Sequence, residues 1–86
     1  MTYMMSGGAY ERLVTEIVIQ AKRFGRHKSV SEIELPISEK ELAAQAGMTR
    51  ETVSREMKTL KDKGLVTLKK NILVISHLAD LEQELR

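Results

Sequence analysis

Arg50, Glu51, Ser54 and Arg55 fall in one short run, RETVSR. At about 100° per residue, a helix through this run puts Glu51, Ser54, Arg55 and Lys58 on one side and Val53, Met57 and Leu60 on the other. Arg50 reaches round from the first turn. The outward residues can read bases: a guanidinium gives two parallel bonds to O6 and N7 of guanine, and a carboxylate accepts from the N4 amine of cytosine. A carboxylate also repels phosphate, so a surface that only gripped a nucleic-acid backbone would gain nothing from Glu51. An ordinary alternative stands beside this. Glu51 can complement the helix dipole and pair with Arg55 at i to i+4, for about a few tenths of a kcal/mol. Arg50 has no such local reward, because a cation at a helix start opposes the dipole.

Backbone contacts would come from the flanks. The Thr49 and Thr52 hydroxyls, the amides near Ser38 at the start of the preceding helix, outward-facing Lys58, and Lys69 and Lys70 at a hairpin tip suit phosphate oxygens. For the hairpin, a solvated turn with lysines guarding a sheet edge is an equally good reading.

These residues need elements to hold them. Tyr10, Leu13, Val14, Ile17, Ala21 and Phe24 follow helical spacing, and Gly25 suits a left-handed stop, so the pattern predicts a first helix over Ala9–Phe24. The segment RHKSVSE reads as polar loop, and Ile33 and Leu35 alternate with Glu32 and Glu34 before Pro36, as in a short edge strand. Ser38 and Glu41 have capping-box spacing, Ile37 and Leu42 that of a hydrophobic staple, and Leu42, Ala43 and Ala46 an inner stripe ended by Gly47. Thr49 caps a third helix, residues 50–63, with Gly64 as its stop. LVTL and ILVI then form a hairpin around Lys69, Lys70 and Asn71, with Asn71 suited to a positive backbone angle. A last short helix starts near Ser76 and turns Leu78, Leu81 and Leu85 inward. Two short helices meeting at a sharp turn, the second exposed at its N-terminal end, have the form of a helix-turn-helix whose second helix enters the major groove.

Composition bounds the rest. With 86 residues, 42% of them hydrophobic, the chain suffices for one small domain with a modest core. It has no cysteine, so disulfides and Cys-based zinc sites drop out, which suits a reducing cytoplasm. Apolar runs are far shorter than the roughly 20 residues of a membrane span, and no secretion leader is evident, so a soluble protein without a membrane partner is expected. The net charge of +2 says little, but residues 50–70 hold seven basic residues against three acids, and Lys22, Arg23, Arg26 and Lys28 form a second basic cluster. His27 and His77 are far apart in sequence and have no carboxylate at metal-ligand spacing. Ser54 and Ser76 have no neighbouring base, no Gly-rich phosphate loop is present, and three aromatic residues make no stacking platform for single strands. Neither catalysis nor a cofactor is expected of this chain.

The stretch ISEKELAAQAGMTRETVSREMKTLKDKGLV, with TLKKNILVI and HLADLEQEL after it, resembles the C-terminal winged helix-turn-helix of the CRP/FNR family of bacterial transcription regulators. The likeness spans residues 9–86, and RETVSR is its most specific part. It implies an α+β, mainly helical fold, a three-helix core with a β-hairpin wing. It further implies that Arg50, Glu51 and Arg55 contact bases in a half-site resembling TGTGA, with Ser54 adding a base or backbone contact. Family members precede this domain with a β-roll sensor, which binds a cyclic nucleotide or another effector, and a long dimerisation helix. The resemblance therefore implies a homodimer on a palindromic site, an effector held outside this chain, and RNA polymerase as a further partner. Residues 1–8, MTYMMSGG, are expected to be a remnant of the linker or dimerisation helix. The competing reading is a winged-helix protein-interaction or dimerisation module that uses the same surface without reading DNA.

Overall fold

Leu13, Val14, Ile17, Val18 and Ala21 line the buried side of helix α1, Ala9–Phe24, around which the other elements pack. The computed structural model describes residues 8–85; of the expected remnant at residues 1–8, all but Gly8 lies outside them. In chain order there follow β1 (Arg26–His27), β2 (Ile33–Leu35), α2 (Glu39–Ala46), α3 (Arg50–Asp62), β3 (Val66–Lys69), β4 (Ile72–Ile75) and α4 (Leu78–Gln83). Helices α1, α2 and α3 pack on one another, and the four strands form an antiparallel sheet in the order β1-β2-β4-β3. The fold is the expected winged helix-turn-helix.

Local signals set the ends of α2 and α3. The Ser38 hydroxyl accepts from the Glu41 amide at 3.1 Å while the Glu41 carboxylate accepts from the Ser38 amide at 2.9 Å, closing the capping box. Gly47 stops α2 at φ +69°, the left-handed conformation that glycine adopts without a Cβ penalty. The Thr49 hydroxyl then accepts from the Thr52 amide at 3.1 Å to start α3. Across this short turn α3 packs on α2, and Val53, Met57 and Leu60 go fully into the core with Leu42.

Several expectations change. Gly25 is extended rather than left-handed, with φ −68°, and its amide donates to the Ala21 carbonyl at 2.9 Å. Close approach is what calls for glycine there: a Cβ would press on the Ala21 carbonyl oxygen and lie 2.5 Å from Ile33 Cγ2. Phe24, placed on the inner stripe by its spacing, is 56% exposed, its ring lying under the Arg23 guanidinium, 5.3 Å from the ring centre, rather than in the core. The segment expected as loop contains β1, which pairs Arg26 with Glu34 and His27 with Ile33. Consequently β2 is an inner strand, with β1 on one side and β4 on the other. In the β3–β4 hairpin Lys70, not Asn71, takes the positive angle, φ +53°. Ala46 is only half-buried, and α4 begins at Leu78, with Leu81 fully buried and Leu78 and Leu85 partly so.

Candidate nucleic-acid interface

The exposed side of α3 carries Arg50, Glu51, Ser54, Arg55 and Lys58, all open to solvent, opposite the fully buried Val53, Met57 and Leu60. Both sides of the helix match the spacing in the sequence. The local pair between Glu51 and Arg55 does not form: Arg55 Nε lies 3.6 Å from Glu56 Oε2, and the Arg55 side chain keeps 67% of its surface exposed. Among the described residues, the side chains of Arg50 and Glu51 have no internal hydrogen bond or ion pair. An exposed pair at that distance is weak, so Arg55 is released at little cost.

Ser54 is placed differently. Its hydroxyl donates to Glu39 Oε1 at 3.0 Å, linking the exposed side of α3 to the first residue of α2. Nothing in the spacing singles out Glu39, which reads simply as the helix position after the Ser38 cap. Glu39, Lys40, Arg50 and Lys70 border a concave surface of about 280 Å³ between the N-terminal ends of α2 and α3 and the hairpin tip. Of the backbone-contact candidates, Ser38 and Lys70 are thus brought to one side of the molecule with the base-contact candidate Arg50, and Lys69, next to Lys70 in the chain, is exposed.

Their hydrogen-bonding capacity is uneven. The Ser38 amide is spent on Glu41, so an anion near the start of α2 would meet the next amides, Glu39 and Lys40, which a helix leaves without internal acceptors. Glu39 and Glu41 set negative charge at that same end. The Thr49 hydroxyl donates to the Thr52 hydroxyl at 2.9 Å and also serves as the cap, which leaves Thr52 with the free proton. Lys58, Lys69 and Lys70 have no side-chain partner among the described residues.

Two supports escape sequence spacing. Arg12 Nη2 donates to the Ala46 carbonyl at 3.0 Å, closing the last turn of α2 from α1. At the far end of α3, Lys63 Nζ donates to Glu84 Oε1 at 2.8 Å, the Tyr10 hydroxyl donates to the same oxygen at 2.6 Å, and Lys63 Nζ lies 5.0 Å from the centre of the Tyr10 ring. The hydrogen bond from Lys63, then that from Tyr10, holds the Glu84 carboxyl below its ordinary range. Lys63 is raised by its bond to Glu84, and Tyr10 is raised by burial first and by Glu84 second. His77, contrary to the sequence reading, has a carboxylate close by, Asp80 Oδ2 at 3.9 Å from Nδ1. Among the described residues, however, no group of three or more His, Asp or Glu is placed to hold a metal ion. No helix among them is long and apolar enough to cross a membrane.

A helix-turn-helix with a two-stranded wing, presenting unspent polar groups on its second helix, defines a DNA-binding domain of the winged class. Residues 11–84 match the Crp-like helix-turn-helix domain, and the chain belongs to that family. It is a DNA-binding domain of a transcription regulator, not an enzyme.

Solved structures agree in fold. A CRP/FNR-family transcriptional regulator from Thermus thermophilus superposes with a TM-score of 0.81 at 20% identity, over 94% of this chain and 42% of that one. A CooA mutant from Carboxydothermus hydrogenoformans gives 0.80 at 26% identity, over 95% of this chain and 38% of its own. A second regulator of the CRP family from Thermus thermophilus gives 0.73 at 20% identity, over 96% and 43%. The chain therefore spans about two fifths of the length of these structures. Comparison with curated protein sequences gives no significant match.

Proposed function

We propose that the domain reads double-stranded DNA sequence-specifically, with α3 in the major groove, as one half of a two-fold symmetric regulator acting in the cytoplasm. Arg50 and Arg55 read guanines, Glu51 accepts from a cytosine amine, and Ser54 adds a further contact. Thr52, Lys58, Lys69 and Lys70, with the amides that follow Ser38 and the capped turn at Thr49, hold the phosphates on either side. The observation that carries this reading is the division of α3. Three apolar side chains are entirely buried, while Arg50 and Glu51 stand free and Arg55 is held only by a surface contact. In a dimer, two such helices would enter successive major grooves about 34 Å apart on a palindromic operator. RNA polymerase is the further partner that a regulator of this kind would meet, and the effector would be sensed by another domain.

Titration of a labelled duplex carrying two TGTGA-like half-sites, against a scrambled duplex of the same composition, tests this. The palindrome should bind more tightly, with an affinity that falls steeply as salt rises. Equal affinity for both sinks sequence reading, and failure to bind either at low salt assigns the surface to a protein partner. Arg55→Ala should cost about 1 to 3 kcal/mol on the preferred duplex and relax the preference at one base position. A loss uniform over all sequences would put Arg55 on phosphate instead.

A further inference from the structure

We propose that Glu39 is a specificity-determining positioning residue: by taking the proton of the Ser54 hydroxyl, it makes Ser54 an acceptor-only reader that selects a base bearing an amino group, cytosine or adenine. The proposal rests on the DNA-reading assignment above and deepens it at one position of the half-site.

A serine hydroxyl has one proton and two lone pairs, and when free it rotates to donate or accept as its partner requires. Serine is accordingly an ambiguous reader of the major groove, able to meet either kind of base edge. Here the rotation is fixed. Ser54 Oγ donates to Glu39 Oε1 at 3.0 Å, a bond between residues 15 apart in sequence. The link is to the first residue of α2, whose end is set by its capping box, so the acceptor stands on a defined backbone. With its proton committed inward, Ser54 turns lone pairs outward. N4 of cytosine and N6 of adenine can donate to them, whereas O6 and N7 of guanine and O4 of thymine cannot.

The arrangement has an electrostatic consequence that can be measured separately. Glu39 adds a negative charge to a surface otherwise bordered by Lys40, Arg50 and Lys70. It therefore weakens attraction to phosphate whatever the sequence. Glu39 thus trades general affinity for discrimination at the Ser54 position, and the two effects respond differently to substitution. Glu39→Ala removes both charge and acceptor. Glu39→Gln removes the charge but keeps a carbonyl oxygen to which Ser54 can donate.

The experiment measures competition binding of the chain to a set of duplexes in which each half-site position is varied through all four bases, for the wild type, Glu39→Ala, Glu39→Gln and Ser54→Ala. The wild type should favour cytosine or adenine at one position by about fivefold or more. Glu39→Ala should reduce that preference to less than about twofold, as should Ser54→Ala, and a chain carrying both Glu39→Ala and Ser54→Ala, measured beside them, should lose no more than either single variant. Glu39→Gln should retain most of the preference. Both Glu39 variants should bind every duplex more tightly, while the guanine preference supplied by Arg55 persists.

Preferences unchanged in Glu39→Ala overturn the proposal and leave Glu39 a charge at a helix end. Equal loss in Glu39→Ala and Glu39→Gln also overturns it, by tracing the effect to charge rather than to the hydroxyl's orientation. Absence of any base preference in the wild type removes the DNA-reading assignment and this inference with it. Loss confined to the Ser54 position is the outcome that upholds both.

Discussion

The charged side chains that open α3 and the lysine that follows it are held in opposite ways. At the start, Arg50 and Glu51 are free and Arg55 has only an exposed contact with Glu56. Beyond the other end, Lys63 is tied to Glu84, which also receives the Tyr10 hydroxyl, so the chain after α3, the start of α1 and the residue that ends α4 meet at one carboxylate oxygen. The contrast shows how a small domain offers unspent hydrogen bonds without losing definition. The tie of Lys63 at one end, with apolar groups buried along the middle, fixes the pose of the helix, so free groups at the other end arrive at a partner already aimed. Ser54 lies between these extremes, exposed yet tied to Glu39.

The harshest way to break the contrast is to remove what lies between the ends. Leu60 is fully buried, and Leu60→Ala should cost about 2 to 5 kcal/mol of stability, read as a lower urea midpoint. DNA affinity should fall with the folded fraction and not beyond it. A midpoint shift below about 1 kcal/mol would mean that α3 is not held by this stripe.

Gly25→Ala acts from farther away. The added methyl would press on the Ala21 carbonyl and crowd Ile33 Cγ2, forcing α1 and β2 apart for about 1 to 3 kcal/mol by thermal denaturation. Neutral behaviour would show that α1 can shift without disturbing the sheet.

Tyr10→Phe sharpens the contrast most finely. Loss of the hydroxyl's bond to Glu84 should lower stability by at most about 1 kcal/mol and leave base preference at α3 untouched. Its pH dependence has a definite sign. Glu84 has a lowered pKa when folded, so its tie contributes fully above the ordinary value of 4.5 and is lost as pH falls through the lowered one. Tyr10 is raised when folded, so its contribution is complete below the ordinary value of 10.0 and fades as pH rises through the raised one. The gap in melting temperature between wild type and Tyr10→Phe should therefore be widest near neutrality and narrow at both extremes. A gap constant from pH 3 to pH 11, on the order of that whole range, would rule out the carboxylate as the hydroxyl's partner.

Much of the site could be read from residues close in sequence. The helix-turn-helix was legible because its determinants act over three or four residues: Ser38 with Glu41, Thr49 with Thr52, and glycines at the stops. Periodicity likewise separated Val53, Met57 and Leu60 from the outward set, since a helix of this length can bury only one stripe. The same logic failed where a partner is far along the chain. The segment after Gly25 has no strand-like alternation, yet Arg26 and His27 pair with Glu34 and Ile33. Phe24 fits the apolar period but stays outside the core, with the Arg23 guanidinium over its ring, 5.3 Å from the centre.

Backbone hydrogen bonds and side-chain rotation within a turn or two are settled by neighbours in the chain, so the order of residues alone fixed the caps, the reach of α2 and α3, and which side of α3 faces water. Tertiary structure alone decided that Glu51 and Arg55 stay unpaired with each other, that β2 is an inner strand, and that Ser54 gives its proton to Glu39. These outcomes depend on where folding brings residues that are distant in sequence, or on competition among several available partners, and neither quantity has a period along the chain that could be read in advance.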